Sequence, residues 1–334
     1  MLRWAIVGFG DIAQKGVAPA IKAHPGSELV AICRRDAAKL AAFAKQFEVR
    51  KTYTDYAEML REGGFDAVYV ASPVHLHAPQ TIGAIESGFH VLVEKPMALN
   101  VGQCDCMIEA AERAGLTLGI AFYHRFFLIN ARVREIVQSG EVGDLIALHG
   151  NASSAFDLSP DDPKIWRLDL AQSGGGPLMD VGSHRLDIFH SLAGPAARVA
   201  AFSDRRVLTC DVEDTVSLIV RYASGVQASL SCMWSVQSAR GDYEVWCTGG
   251  HLVVPAIRGE ELIVERDGEA ETIRLSGPGV FDLPLIADFV DAVEKGSPQV
   301  LPGSAGLEVQ RIIDAAYKSS ATAQVVELSD RGTA

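Results

Sequence analysis

The sequence predicts an α/β fold in two parts: a doubly wound parallel sheet over residues 1–121, then an α/β domain with an open, largely antiparallel sheet over 122–334. Three observations carry this. Short apolar runs alternate with stretches of helical periodicity up to residue 121, which is the rhythm of βα units. A glycine turn, Gly8-Phe9-Gly10-Asp11-Ile12-Ala13, follows the first apolar run directly and opens a helix. Beyond residue 121, apolar and polar residues alternate in successive short runs, the pattern of strands with one buried face.

The totals fit two soluble domains. A chain of 334 residues exceeds the usual size of a single core, and 48% hydrophobic with 22% charged residues describes an ordinary globule. The net charge of −12 speaks against nucleic acid or an anionic membrane as a partner, so any phosphate must be held by a local site. No apolar run approaches the roughly 20 residues of a membrane span. The first residues, Met1 to Gly8, lack a leader's long apolar core and run straight into a strand, so the cytoplasm is the expected location. Cys104 and Cys106, the one close cysteine pair, are two apart in a helical pattern and do not share a face. All six cysteines read as free thiols in a reducing compartment.

In order, residues 3–7 form the first strand, and the turn after it matches G-x-G-x-x-G/A in the strand-to-helix context that gives the pattern meaning. Gly8 allows the tight turn, and Gly10 lets the backbone approach a pyrophosphate at the start of a helix that runs to about residue 23. Phe9, Asp11 and Ile12 complete the cofactor run. The second strand, 28–33, ends on Arg34-Arg35, where an NAD site usually offers a carboxylate to the ribose. A guanidinium there binds a 2′-phosphate and stacks on adenine, so NADP(H) is the preferred cofactor, with NAD(H) possible. The alternative is two solvated arginines ahead of a helix over 37–47. A short strand at 51–53, a helix over 55–61 and a strand at 66–71 follow. Ser72-Pro73-Val74-His75-Leu76-His77 then forms an extended turn at the carboxyl end of the sheet. His75 and His77 are spaced as metal ligands but lack a third, so no metal is expected. Ser72, Pro73 and one of the two histidines line the cofactor cleft.

A helix over 79–87 leads to the buried strand 90–93, which delivers Glu94-Lys95-Pro96. Ligands of open α/β sheets lie beyond the carboxyl ends of the strands, so the ammonium of Lys95 faces whatever the sheet binds. A helix over 101–114 and a strand at 116–121 close this part. The second part begins with Tyr123-His124-Arg125-Phe126 opening a helix to about residue 139, then a strand at 144–152. Ser173-Gly174-Gly175-Gly176-Pro177 is a loop whose backbone must bend sharply or approach a ligand. Strands follow at 199–203, 214–222, 226–233 and 242–248, and helices at 285–295 and 304–320. One face of the sheet is covered by helices. The other must pack on something, and self-association into a homodimer or homotetramer is the economical answer.

After the glycines comes Leu178-Met179-Asp180-Val181-Gly182-Ser183-His184-Arg185-Leu186-Asp187. If this stretch is helical, Asp180 and His184 share a face. A carboxylate beside an imidazole fixes its tautomer and raises its basicity, as a general acid or base near neutral pH requires. A solvated surface pair is the plain alternative.

Together, Gly8-x-Gly10-x-x-Ala13, Glu94-Lys95-Pro96, Arg125-Phe126, Trp166-Arg167 and Gly174-Gly175-Gly176-x-x-x-Asp180-x-Gly182-x-His184 resemble the glucose-fructose oxidoreductase and inositol dehydrogenase family (Gfo/Idh/MocA) along essentially the whole chain. Leu128 departs from the family pattern, in which a proline is frequent there. The resemblance implies an N-terminal Rossmann domain, a C-terminal α/β domain with an open sheet, and NAD(P)-dependent oxidation or reduction of a sugar, cyclitol or related carbonyl. It implies Lys95, Asp180 and His184 as the catalytic set, and these with Arg125, Trp166 and Arg167 as substrate contacts. Trp166-Arg167 and Arg34-Arg35 resemble the NADP-dependent members, such as 1,5-anhydrofructose reductase. Two other readings stay open: a glycoside hydrolase that uses bound nicotinamide transiently, and a dinucleotide-sensing regulator without chemistry. Keeping all three members of the catalytic set argues against a sensor.

Overall fold

The computed structural model describes residues 1–159, 161–234 and 236–329. They form two compact units, one of Met1–Tyr123 with Pro278–Leu307, the other of His124–Gly277 with the chain from Glu308 onward.

The first unit is built on β1 (Leu2–Val7), β2 (Ser27–Cys33), β3 (Lys51–Tyr53), β4 (Ala67–Val70), β5 (His90–Val93) and β6 (Leu118–Ile120), in the spatial order β3-β2-β1-β4-β5-β6. Every neighbouring pair is parallel. The winding reverses between β1 and β4, which makes their carboxyl ends the topological switch point where such sheets bind ligands. All four residues of β4 are buried, as a strand covered on both faces requires. Asp36, Asp55 and Asn100 cap the helices Ala37–Phe47, Tyr56–Glu62 and Val101–Ala114, accepting from the N–H of Lys39, Glu58 and Gln103. These caps are why those helix starts stand within a residue of the sequence expectation.

The boundary at 121/122 places the helix Leu283–Lys295 with the second domain, whereas its apolar face belongs to the first unit. Phe289 meets the fully buried Trp4 of β1 with ring centroids 5.2 Å apart. The first unit is therefore discontinuous in sequence.

The second unit carries β7 (Leu145–Ser153), β8 (Ala196–Asp204), β9 (Thr215–Tyr222), β10 (Gln227–Met233), β11 (Tyr243–Cys247), β12 (Gly250–Val254), β13 (Glu261–Arg266), β14 (Glu269–Arg274) and β15 (Val326–Glu327). Their order is β14-β13-β12-β11-β7-β10-β9-β8-β15. All pairs are antiparallel except β7 with β10. Strands β12 to β15 lie beyond the runs read from sequence; of these, β14 is polar and largely exposed and β15 is only two residues long. On β9, Val216, Leu218, Val220 and Tyr222 are buried and alternate with Ser217, Ile219 and Arg221. The helix Ser183–Ala193 covers the buried face, with Phe189 edge-on to Tyr243. The opposite face shows Phe202, Ile219 and Trp246 to solvent at 75%, 55% and 42% exposure.

No helix among the described residues is long and apolar enough to cross a membrane. No group of three or more His, Cys, Asp or Glu among them is placed to hold a metal ion, and no disulfide joins the six cysteines.

Candidate active site

In the first unit the candidate residues gather at the switch point. Gly8 has φ +78°, and a Cβ there would run into the backbone of Ser72, so only glycine lets the turn after β1 lie against the end of β4. Gly10 is different. A Cβ on it would meet only Gly8 O at 3.7 Å and an Arg34 nitrogen at 4.0 Å, so its side is open to a ligand. The helix starts at Asp11 and Ile12, and the first turn of a helix turns its N–H groups toward whatever lies before it. An open glycine beside these donors fits the pyrophosphate of a dinucleotide. The side chain of Phe9 points elsewhere, buried against Phe43 and Phe47 with centroids 5.1 and 5.5 Å away.

Arg34 is half-buried and donates to the carbonyl of Phe9 at 2.6 Å, with its guanidinium 5.7 Å from the Phe43 ring centre. It braces the glycine turn. Arg35 is exposed. Of the two arginines, Arg35 is therefore the one with its donors in solvent and Arg34 the one already holding protein.

Beyond β4, the ring nitrogens of His77 lie 2.9 Å from Pro96 O and 2.7 Å from Ser72 O. Burial lowers its pKa to about 4 against the opposing pull of these carbonyls, so the ring is neutral and its single N–H donates to one of them, with the ring packed between the loops after β4 and β5. That work removes His77 from the cofactor candidates. His75 is half-buried, and its Nδ1 has no partner among the described residues. Ser72 and Pro73 are half-exposed beside the glycine turn.

Glu94, 6% exposed, accepts from Tyr69 OH at 2.8 Å and from the N–H of Lys95 at 3.1 Å. Its carboxylate fixes the strand end. Lys95 follows it, half-buried, and joins the buried Pro96 through a cis peptide.

The second unit holds the other constellation. Leu178–Gly182 is a π-helical turn that passes without interruption into the α-helix Ser183–Ala193. Asp180 sits in the π turn and His184 in the first α turn, so the α-helical alignment of residues four apart does not govern the pair. The carboxylate of Asp180 lies 3.6 Å from Nε of Arg167, whose guanidinium carbon lies 4.9 Å from the ring centre of Trp166. This joins three residues that sequence alone could only set side by side. His184 is 5% exposed, its ring stacked on that of His124 at 4.0 Å.

Arg125 departs from its expected substrate role. It makes a two-pronged ion pair with Asp187 at 2.8 and 2.6 Å, with side chains 10% and 1% exposed. Its guanidinium is committed to the fold. The helix expected from residue 123 begins as a 3-10 turn, Tyr123–Phe126, and becomes α-helical at Leu128, so the departure from proline falls on the first helical residue.

Sequence reasoning missed Tyr69, His124, Asp187 and Glu213. Asp187 carried a faint signal, lying within the quoted run one turn beyond His184. The other three meet their partners only through tertiary contact.

The chain matches an oxidoreductase family model with an NAD-binding Rossmann fold over residues 2–122, and the GFO/IDH/MocA C-terminal domain over 130–253. The chain belongs to the Gfo/Idh/MocA oxidoreductase family. One relative in this family, D-xylose 1-dehydrogenase (NADP(+)) 2 of Haloferax volcanii, is 32% identical over 98% of this chain and 100% of its own length. Another, 1,5-anhydro-D-fructose reductase of Ensifer adhaerens, is 30% identical over 98% of this chain and 99% of its own. Among solved structures, aldose-aldose oxidoreductase from Caulobacter crescentus, complexed with glycerol, aligns with TM-score 0.90 and 26% identity over 98% of this chain and 99% of that one. Gfo/Idh/MocA membership makes this protein an oxidoreductase with an NAD-binding domain, and the Rossmann sheet paired with a mixed, largely antiparallel sheet is the architecture found here.

Proposed function

We propose that the protein is an NAD(P)-dependent dehydrogenase or reductase that acts on a carbinol or carbonyl carbon of a sugar, cyclitol or related polyol, with NADP(H) preferred. The observation that carries this is the open Gly10 turn at the switch point, in the same sheet that presents Lys95. The names of the relatives, a xylose dehydrogenase and an anhydrofructose reductase, support a polyhydroxylated substrate.

The turn from Gly8 to Ile12 binds the pyrophosphate, Ser72, Pro73 and His75 line the cleft, and Arg35, with the remaining donors of Arg34, holds a 2′-phosphate. When bound, the dinucleotide donates or accepts the hydride. In the oxidative direction the carbinol loses its C–H as hydride and its O–H as a proton. Lys95 hydrogen-bonds the reacting oxygen and stabilises its charge, while His184 takes up the proton. Asp180 and Arg167 hold neighbouring hydroxyls, and Trp166 closes the pocket against water.

Titration with NADPH and NADH, followed by nicotinamide fluorescence, tests the cofactor reading. Arg35→Asp is expected to weaken NADPH binding by about tenfold or more, the worth of a lost charge-assisted pair, and to spare NADH. Arg35 is preferable to Arg34 as the probe, because replacing Arg34 also loosens the Phe9 carbonyl. NADH binding tighter than NADPH in the unaltered protein removes the NADP preference.

The same reading takes the second unit as the substrate-binding domain and its open sheet face as the surface of a homodimer or homotetramer. Phe202→Glu is expected to reduce the mass seen by light scattering to that of one chain. A single-chain mass for the unaltered protein at the same concentration ends this part of the proposal.

A further inference from the structure

Ahead of β9 the chain runs Val212-Glu213-Asp214. The two carboxylates divide their work. Asp214 accepts from the N–H groups of Arg206, Val207 and Leu208 and closes its own loop. Glu213, 9% exposed, reaches to distant parts of the unit. Its Oε2 accepts from the N–H of Gly176 at 2.9 Å, and its Oε1 accepts from the N–H of Leu178 at 3.3 Å and the hydroxyl of Tyr317 at 2.9 Å.

The triple glycine serves this contact. A Cβ on Gly176 would collide with the backbone carbonyl of Glu213, and one on Gly175 with the hydroxyl of Tyr317. The close approach expected of this loop is thus to Glu213 and Tyr317. Gly176 and Leu178 flank Pro177 at the start of the helical run that carries Asp180 and His184. Such N–H groups have no intrahelical partner, and a negative charge is favourable at that end of a helix. Gln310, on the same final helix as Tyr317, reaches Sδ of Met179 at 3.7 Å, a second tie to the π turn.

We propose that Glu213, held by Tyr317, is a positioning residue that fixes the glycine loop and the π turn, and through them the placement of Asp180 and His184. The proposal rests on the roles given to Asp180 and His184 above. A cap with no bearing on the site would hold the helix start without regard to the π turn; here the anchored N–H groups stand four residues and two residues before Asp180. Burial pushes the Glu213 carboxyl above its ordinary range, and the three donors work against that shift.

Glu213→Gln keeps the shape but replaces one acceptor oxygen by an NH2 facing an N–H. Three measurements read it: thermal unfolding with NADPH titration, amide hydrogen exchange in peptides spanning residues 174–186, and kcat and KM with the isotope effect from deuterated nicotinamide. Exchange at the loop is expected to rise about tenfold or more. The kcat per folded molecule is expected to fall about 10- to 100-fold, as for a sub-ångström to ångström misplacement of reacting groups. NADPH binding should stay unchanged, and the isotope effect on kcat should rise as chemistry becomes limiting. Tyr317→Phe should move every readout the same way by less, and it carries the test if Glu213→Gln does not fold. Unchanged exchange overturns the anchoring, and an unchanged kcat and isotope effect with raised exchange overturns the positioning role. If the unaltered protein turns over no polyol in either direction, it is the proposed function that fails, and hydrogen exchange still decides whether Glu213 anchors the loop.

Discussion

Lys95→Met is expected to leave the fold and dinucleotide binding intact and to lower kcat by about 10²- to 10³-fold, the usual effect of removing one donor from a developing oxyanion. Methionine keeps the length and apolar stem of the side chain and removes only the ammonium. Glu94 is held at the strand end by Tyr69 OH and by the backbone N–H of residue 95, which any residue supplies. Stopped-flow or steady-state turnover on a polyol substrate, beside a fluorescence titration of NADPH, separates the two effects. Unchanged turnover would remove Lys95 from the chemistry. Weakened NADPH binding at unchanged kcat would make it a cofactor contact alone.

Asp187→Ala is expected to produce the largest loss of stability, about 3–5 kcal/mol, because it leaves the Arg125 guanidinium nearly buried and uncompensated. For a unit of this size that corresponds to a fall of about 10 °C in the midpoint of thermal unfolding. Replacing both partners, Arg125→Met with Asp187→Leu, should recover most of the loss, since a buried ion pair is worth little against well-packed apolar groups. If the double variant is as unstable as Asp187→Ala, the loss does not arise from the stranded charge. Burial pushes the Asp187 carboxyl up to about 6 in spite of Arg125. A carboxyl raised in the folded state contributes stability that is fully present below its unfolded pKa, near 4, and is lost as pH rises through about 6. Asparagine has no such dependence, so the stability of Asp187→Asn relative to the unaltered protein should rise between pH 4 and pH 7. A difference that is flat across this window contradicts the shifted carboxyl.

Two of the four arginines singled out for ligands show where residue type misleads. Arg125 and Arg34 both look like binding residues in a chain of net charge −12, yet one is neutralised by Asp187 and the other braces the carbonyl of Phe9. Their partners lie 62 and 25 residues away, and nothing in the local sequence announces such pairings. His77 is the same case. It stood among the candidates for the cofactor cleft, and its burial against the carbonyls of Pro96 and Ser72 commits its ring to the fold.

The sequence by itself determined the order and kind of nearly every element of the first unit, because glycine turns, helix caps and continuous apolar strands act through neighbours a few residues away. It also determined the family, since the Glu94-Lys95-Pro96 and Asp180-x-Gly182-x-His184 runs are short and local. The tertiary structure alone decided that Leu283–Lys295 packs on the first sheet, that β14 and β15 are strands, and that Gly175 and Gly176 exist to admit Tyr317 and Glu213. These are long-range contacts in which a polar edge strand or a small residue is fixed by what arrives from elsewhere in the chain, so their cause does not lie in the residues beside them.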